Sequence, residues 1–287
     1  MRQGPYAGLC HDGPEYETGT MMGANLMISD LEALMKAIYD VDDYGLDQIS
    51  TGNVIGFLMG AYEKGLIDLS FLDGIDLKWG NADAVLQMIR KIALREGIGD
   101  LASRGVKTLA AKISRGSAKF AIHSKGHELA AWNPHRDKNL AIAYATANRG
   151  ACHLNDSTPS GQNNYVINDS LGICLFALNG FGKDMLRQLL SVITGIEWSE
   201  DEYLKVGERI YNLERAFNCR EGFSQEDDIL PDRFFDEPLT VGPGKGAVLN
   251  REEFKKMLTD YYRERGWDEK TGKPTTSKLK NLGLDFA

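Results

Sequence analysis

Apolar residues recur along this chain at intervals of three and four, the spacing that gathers them on one face of a helix. Leu31, Leu34, Met35 and Ile38 share such a face, and Ser29 with Glu32 forms a capping-box pattern that opens a helix over 31–41. Thr51 or Asn53 is expected to start the next helix, which carries Phe57, Leu58 and Tyr62 and stops at Lys64-Gly65. A third runs over 81–96 with Val85, Ile89 and Ile92 inward and Gly97 as its left-handed terminator; a fourth covers 99–112. Phe120-Ala121-Ile122-His123 is the one convincing extended run. The polar, irregular stretch 125–137, broken by Pro134, then reads as a seam between two domains, 1–122 and 123–287.

Past the seam, 139–148 is small and alanine-rich, which permits close helix packing. A loop is expected over 154–164, then helices over 168–178, 184–194, 199–218 and 254–265. Ser199 with Glu202 and Asn250 with Glu253 supply caps, and Gly266 ends the last. The proline-bearing stretch 220–246 reads as a surface loop. The pattern predicts an all-α protein with little sheet.

With 43% hydrophobic residues, 287 residues suffice for two domains with real cores. A net charge of −8 and a pI near 5.3 argue against a nucleic-acid binder. No apolar run approaches the roughly 18–20 residues that span a bilayer, and the N-terminus lacks a signal-peptide core. Cys10, Cys152, Cys174 and Cys219 are scattered, as reduced thiols are, and point to the cytoplasm.

Two segments share one pattern. Asp42-Asp43-Tyr44-Gly45-Leu46-Asp47 and Asp169-Ser170-Leu171-Gly172-Ile173-Cys174 both read D-x-x-G-aliphatic. A carboxylate accepts hydrogen bonds from ring N–H groups, and a glycine lets backbone approach a flat ring or take φ > 0. Two copies imply two copies of a ligand, and the thiol beside the second implies a metal or cluster. The plain alternative is a turn after a helix for Asp42 and a buried apolar thiol for Cys174.

These motifs do not stand alone. Gly13-Pro14-Glu15-Tyr16-Glu17-Thr18, Asp42-x-x-Gly45-Leu46-Asp47 and Ser50-Thr51-Gly52-Asn53 resemble the aldehyde ferredoxin oxidoreductase family. So do Ala145-Thr146-Ala147-Asn148-Arg149-Gly150-Ala151-Cys152-His153-Leu154, Asp169-x-x-Gly172-Ile173-Cys174 and Arg220-Glu221-Gly222-Phe223. Asp228-x-Leu230-Pro231-x-Arg233 and Tyr261-Tyr262-x-x-Arg265-Gly266-Trp267 complete the likeness, which covers essentially the whole chain.

The resemblance implies two helical domains packed around a shared cofactor cleft, as in the C-terminal domains of that family. It implies a tungsten bis-pterin beside a [4Fe–4S] cluster, with Asp42, Gly45, Leu46, Asp169, Gly172, Ile173 and Arg149 toward the pterins and Cys174 as a cluster ligand. Glu17 and His153 resemble the polar pair that stands over the metal, with Glu15 the rival for Glu17. For Arg149 a surface salt bridge is the rival. The implied reaction is oxidation of a small aldehyde to its carboxylic acid with ferredoxin as electron acceptor, and a homodimer is compatible with it. His123, His127 and His135 lack zinc-site spacing.

One departure is large. The family's polypeptide begins with a β-rich domain of roughly 200 residues, an ordinary domain size, followed by C-x-x-C-x-x-x-C, and neither occurs here. The expectation is therefore the C-terminal part of a longer enzyme, or a split subunit completed by another chain, inactive alone. Two other readings remain: a relative of the tungsten-dependent benzoyl-CoA reductases, or a non-catalytic helical partner.

Overall fold

In the computed structural model, which describes every residue except Arg2, Asn179 and 181–183, the chain divides into two units. One comprises Met1–Arg136 and Leu230–Val248, the other Asp137–Ile229 and Leu249–Ala287. The first division thus falls at 136/137 and not at 122/123, because the seam stretch bonds back to earlier helices. Ser50 Oγ donates to Glu128 Oε2 at 2.9 Å and Asn53 Nδ2 to the Leu129 carbonyl at 2.7 Å. The stretch expected as a surface loop returns too. His135 Nε2 meets the Glu237 carbonyl at 3.0 Å, and its ring packs edge-on against Phe234.

The first unit is helical: α1 (Tyr16–Met22), α2 (Leu31–Asp43), α3 (Gln48–Glu63), α4 (Ala82–Leu94), α5 (Ile98–Ala102) and α6 (Gly105–Ile113). Helix α3 is its axis, with Val54, Ile55, Phe57, Leu58, Met59 and Ala61 all buried. A helix buried nearly all round must be approached closely, and Gly52 allows it: a Cβ there would stand 2.7 Å from the Met21 carbonyl oxygen.

Several boundaries differ from the sequence reading. Asp30, not Ser29, caps α2, accepting from the N–H groups of Glu32 and Ala33. Helix α3 begins at Gln48 because Asp47 accepts the Ser50 N–H at 2.6 Å. Helix α4 ends with Arg95 in the left-handed region, and Gly97 opens α5 instead of closing α4. The helix expected over 99–112 breaks at Ser103-Arg104. Phe120 closes a 3-10 turn, and the extended pair is a hairpin, β1 (His123–Ser124) with β2 (His127–Glu128). Lys125 and Gly126, at φ 56° and 88°, make its two-residue turn.

The second unit holds α7 (Lys138–Thr146), α8 (Pro159–Ser170), α9 (Leu175–Leu178), α10 (Met185–Thr194) and α11 (Glu200–Arg220). The short α12 (Arg233–Asp236) lies in the segment that rejoins the first unit, and α13 (Arg251–Arg265) and α14 (Thr276–Asn281) complete the second. Helix α8 starts within the expected 154–164 loop, since Thr158 caps it and Pro159 occupies its first turn. Ser199 and Glu202 form the reciprocal capping box that opens α11. Helix α11 lies closely along α8, and Gly207 makes room: a Cβ would meet the Asn163 carbonyl oxygen at 2.2 Å.

This unit's core is aromatic, with Tyr211, Tyr261, Tyr262 and Trp267 around Ile142, Val166 and Leu258. Two buried guanidinium groups lock it. Arg215 donates to both oxygens of Asp228 at 2.9 and 2.7 Å and to the Gly272 carbonyl at 2.8 Å. Arg265 lies 4.0 Å above the Tyr211 ring and donates to Gln162 and Asn163. Among the described residues no helix is long and apolar enough to cross a membrane.

Candidate cofactor site

Both D-x-x-G-aliphatic segments are helix C-termini of one design. At the end of α2 the Gly45 N–H bonds the Asp42 carbonyl at 2.9 Å and the Leu46 N–H bonds the Val41 carbonyl at 2.9 Å. At the end of α8 the Gly172 N–H bonds the Asp169 carbonyl and the Ile173 N–H bonds the Asn168 carbonyl. Gly45 and Gly172 sit at φ 69° and 68°. This is the Schellman cap, which needs a left-handed residue followed by an apolar one.

The cap alone is no ligand signal, because Gly65-Leu66, Gly222-Phe223, Gly266-Trp267 and Gly283-Leu284 make it as well. The residue three before glycine separates them. The others carry Tyr62, Cys219, Arg263 and Lys280; the two motifs carry aspartate. An anion in the last turn opposes the helix dipole, at about 0.3–1 kcal/mol, and neither α2 nor α8 has a base there to offset it. Both aspartates are exposed, and nothing lies within 4 Å of where a Cβ on Gly45 or Gly172 would be. A carboxylate beside bare backbone suits a flat ring with N–H groups on its edge, so the residues fit a pterin.

The two copies differ in their surroundings. Asp42 already accepts from Gln48 Nε2 at 2.8 Å and lies 2.7 Å from His11 Nε2. A carboxylate has about four acceptor positions, so a ring can still add. Asp169 stands near Tyr165, whose pKa is pushed up to about 12 by burial and then by the charges of Cys152 and Asp169. Arg149 is exposed in the loop after α7, and Cys174 is exposed just before α9.

Glu15 and Glu17 have different local surroundings in the first unit. Glu15 is the exposed cap of α1, accepting the Thr18 N–H at 2.9 Å. Glu17 is buried, with Oε2 accepting the Ala131 N–H at 2.7 Å. Desolvation raises its pKa, the Ala131 bond offsets part of the rise, and the Glu15 charge adds to it. A carboxyl raised in the folded state favours folding fully below its ordinary value and loses that contribution as pH climbs through the folded value. Glu17→Gln is therefore expected to gain stability over wild type at neutral pH and nothing near pH 4, read as urea midpoints across that range. Ala131 also lines a cavity of about 980 Å³ with Trp132, His135 and Arg233.

In the second unit His153 is half-buried on the same loop as Arg149. That loop is braced from beneath. Tyr211 OH donates to the Thr146 carbonyl at 2.9 Å, Asn155 Nδ2 to Tyr211 OH at 3.3 Å, and Gln162 Nε2 to the Asp156 carbonyl at 2.7 Å. Glu214 was not singled out by sequence, and Asn148 and His11 entered only as members of matched segments, without a role of their own. Each lies far in sequence from the motif it neighbours, so no local spacing marks it.

A [4Fe–4S] cluster needs four protein ligands. The resemblance offers only Cys174, an exposed free thiol, and among the described residues no three His, Cys, Asp or Glu side chains group as metal ligands. The cluster does not fit this chain by itself.

The family described as "Aldehyde ferredoxin oxidoreductase, domains 2 & 3" matches residues 1–284. A tungsten-containing aldehyde ferredoxin oxidoreductase of Pyrococcus furiosus is 38% identical over 95% of this chain and 49% of its own length. The aliphatic sulfonate oxidoreductase WOR-like subunit of that organism is 33% identical over 100% of this chain and 48% of its own. The chain thus spans about half the length of the curated relatives it matches. Among solved structures, the active-site complex BamBC of benzoyl coenzyme A reductase with 1,5-dienoyl-CoA superimposes with a TM-score of 0.72 at 22% identity. That match covers 94% of this chain and 48% of the other, and it shows the shared fold. With its helical units, its paired capping aspartates and a family match over nearly its full length, this chain belongs to the aldehyde ferredoxin oxidoreductase family.

Proposed function

We propose that this chain is the two-domain helical part of a tungsten-pterin oxidoreductase, and that the complete protein oxidises an aldehyde to its carboxylic acid. The observation that carries the reading is the pair of Schellman caps bearing aspartate against the helix dipole. Asp42 and Asp169 each accept N–H groups of one pterin, Gly45 and Gly172 leave the ring edge unobstructed, and Arg149 pairs with a pterin phosphate. When bound, the tungsten-pterin supplies a polarising centre that takes two electrons from the substrate.

The net change is aldehyde plus water to acid, releasing two protons and two electrons. Glu17, a desolvated carboxyl, and His153, an imidazole with two ring nitrogens, hold and pass those protons. Cys174 would be this chain's one ligand to a cluster completed from outside the chain, and such a cluster would supply one-electron transfer toward ferredoxin. The reductive alternative, on an aromatic thioester, is kept as an outcome of the test below; the benzoyl-CoA reductase likeness, at 22% identity, bears on fold alone.

The test is to assemble the chain with the cofactor-bearing half that its relatives possess, then count tungsten and iron per chain and assay both reactions. Expected are one tungsten, four irons and aldehyde-dependent ferredoxin reduction. An assembled protein without tungsten sinks the proposal, and thioester reduction without aldehyde oxidation transfers it to the other branch.

A further inference from the structure

The second unit has a recess of about 420 Å³ lined by Asn148, Arg149, Leu213, Glu214, Phe217 and Asn218. Its polar edge is rich in acceptors. Asn148 Nδ2 donates to the Tyr211 carbonyl and to Glu214 Oε2, each at 3.0 Å. Because both partners accept, the orientation of that amide is fixed, and its Oδ1 is left buried with no hydrogen-bond partner. A buried unpaired acceptor costs about 1–3 kcal/mol, a cost that a ligand N–H removes. Asn218 Nδ2 pins the Asn148 backbone carbonyl at 2.7 Å, so the acceptor is held in place.

Glu214 is close enough to Asp169 for the two charges to act on one another. Desolvation raises the Glu214 pKa, the Asn148 hydrogen bond offsets part of the rise, and the Asp169 charge adds to it. Beside these acceptors, Leu213 and Phe217 stay 41% and 53% exposed. Apolar side chains left uncovered next to paired carboxylates make a surface for a flat ring whose rim donates hydrogen bonds.

Building on the proposed function, we infer that Glu214 and the Asn148 Oδ1 recognise the second pterin together with Asp169, its ring lying against Phe217 and Leu213. A 2-amino-4-oxo ring offers an exocyclic NH2 and a ring N–H on one edge, and these donors match the three acceptors. A 2,4-dioxo ring turns the NH2 into a carbonyl and faces acceptor with acceptor. Sites built around a donor reject the analogue lacking it by far more than sites built on apolar contact.

The experiment titrates the 287-residue chain with 6-hydroxymethylpterin and with its 2,4-dioxo analogue, reading ligand fluorescence, with circular dichroism as the folding control. Wild type should prefer the pterin by at least tenfold. Glu214→Gln and Asn148→Ala should each weaken pterin binding about five- to tenfold and erase most of that preference, while Asp169→Ala abolishes binding. If Asp169→Ala alone matters, the inference falls and the pterin reading stands. If wild type does not distinguish the two rings, or Asp169→Ala binds as wild type does, the pterin reading falls with it. Phe217→Ala gives a separate check, since lost stacking should weaken both rings equally.

Discussion

Asp169→Ala is expected to empty the second pterin site of the complete enzyme while leaving the ligand-free chain at least as stable as wild type. A hydrogen bond to a charged acceptor contributes about 1.5–3 kcal/mol, so losing even one or two weakens retention roughly tenfold to a hundredfold or more. The opposite sign on stability follows from position. Asp169 is exposed in the last turn of α8, where its charge opposes the dipole and no base offsets it. Alanine removes that charge and is the better helix former. Pterin and tungsten content of the purified mutant enzyme, with a thermal melt of the ligand-free chain, read both effects. Full metal occupancy, or a clear fall in melting temperature, sinks the assignment. Asp42→Ala should lose stability as well as cofactor, because the Asp42 carboxylate also holds Gln48 and His11. The two aspartates are one motif in sequence and two different local structures.

That contrast marks how far the sequence could be read. The long amphipathic helices were legible, since a 3.6-residue period survives whatever the helix packs against; α1, α12 and α14 were not read, and the one helix expected over 168–178 is divided between the end of α8 at Ser170 and α9 from Leu175. Boundaries failed where two capping residues competed. Ser29 and Asp30 both suit an N-cap, and Asp47 lay hidden inside the cofactor motif although it caps α3. Thr158-Pro159 is a legible start signal that a polar, loop-like neighbourhood obscured. The return of Leu230–Val248 to the first unit has no local signal, because it rests on pairings such as His135 with Glu237, 102 residues apart in sequence.

The site was legible as residue types more than as arrangement. Aspartate, two residues and glycine mark both motif ends, yet the glycine and its apolar follower are what six helix ends among the described residues use to stop. The aspartate alone carries the ligand signal, and only the observed cap geometry separates the two contributions. Burial then distinguishes Glu17 from Glu15 although they stand two positions apart: one caps a helix at the surface, the other is enclosed beneath the Ala131 amide. Recognition of the signature segments worked for a different reason in each. Asp228, Tyr262, Arg265 and Trp267, matched as family residues, are structural members of the second unit's locked core.

That core supports the largest stability prediction. Arg215→Ala is expected to destabilise the second unit by about 3–5 kcal/mol, the usual result of stripping one partner from a buried ion pair. Arg215 and Asp228 are both fully buried, so the carboxylate left behind has no solvent to turn to. It keeps the Tyr262 hydroxyl at 2.5 Å, but one neutral donor does not replace a bidentate guanidinium. The arginine also shields the Trp267 face from 5.0 Å and donates to the Gly272 carbonyl, so its removal opens the aromatic cluster as well as the ion pair. A loss of that size lowers the melting temperature by on the order of 10 °C for a unit of this length. The double variant Arg215→Met with Asp228→Leu separates charge from packing. If the orphaned charge dominates, it recovers most of the lost stability; if it stays as unstable as Arg215→Ala, packing around Trp267 carries the effect. A single-site loss below about 1 kcal/mol in urea unfolding contradicts both accounts. The distance between this pair and the cofactor motif runs through α11, which carries Arg215 next to Glu214. The prediction therefore extends to function: chains that stay folded as Arg215→Ala should bind pterin more weakly as the C-terminal turns of α11 loosen, whereas the double variant should bind as wild type does.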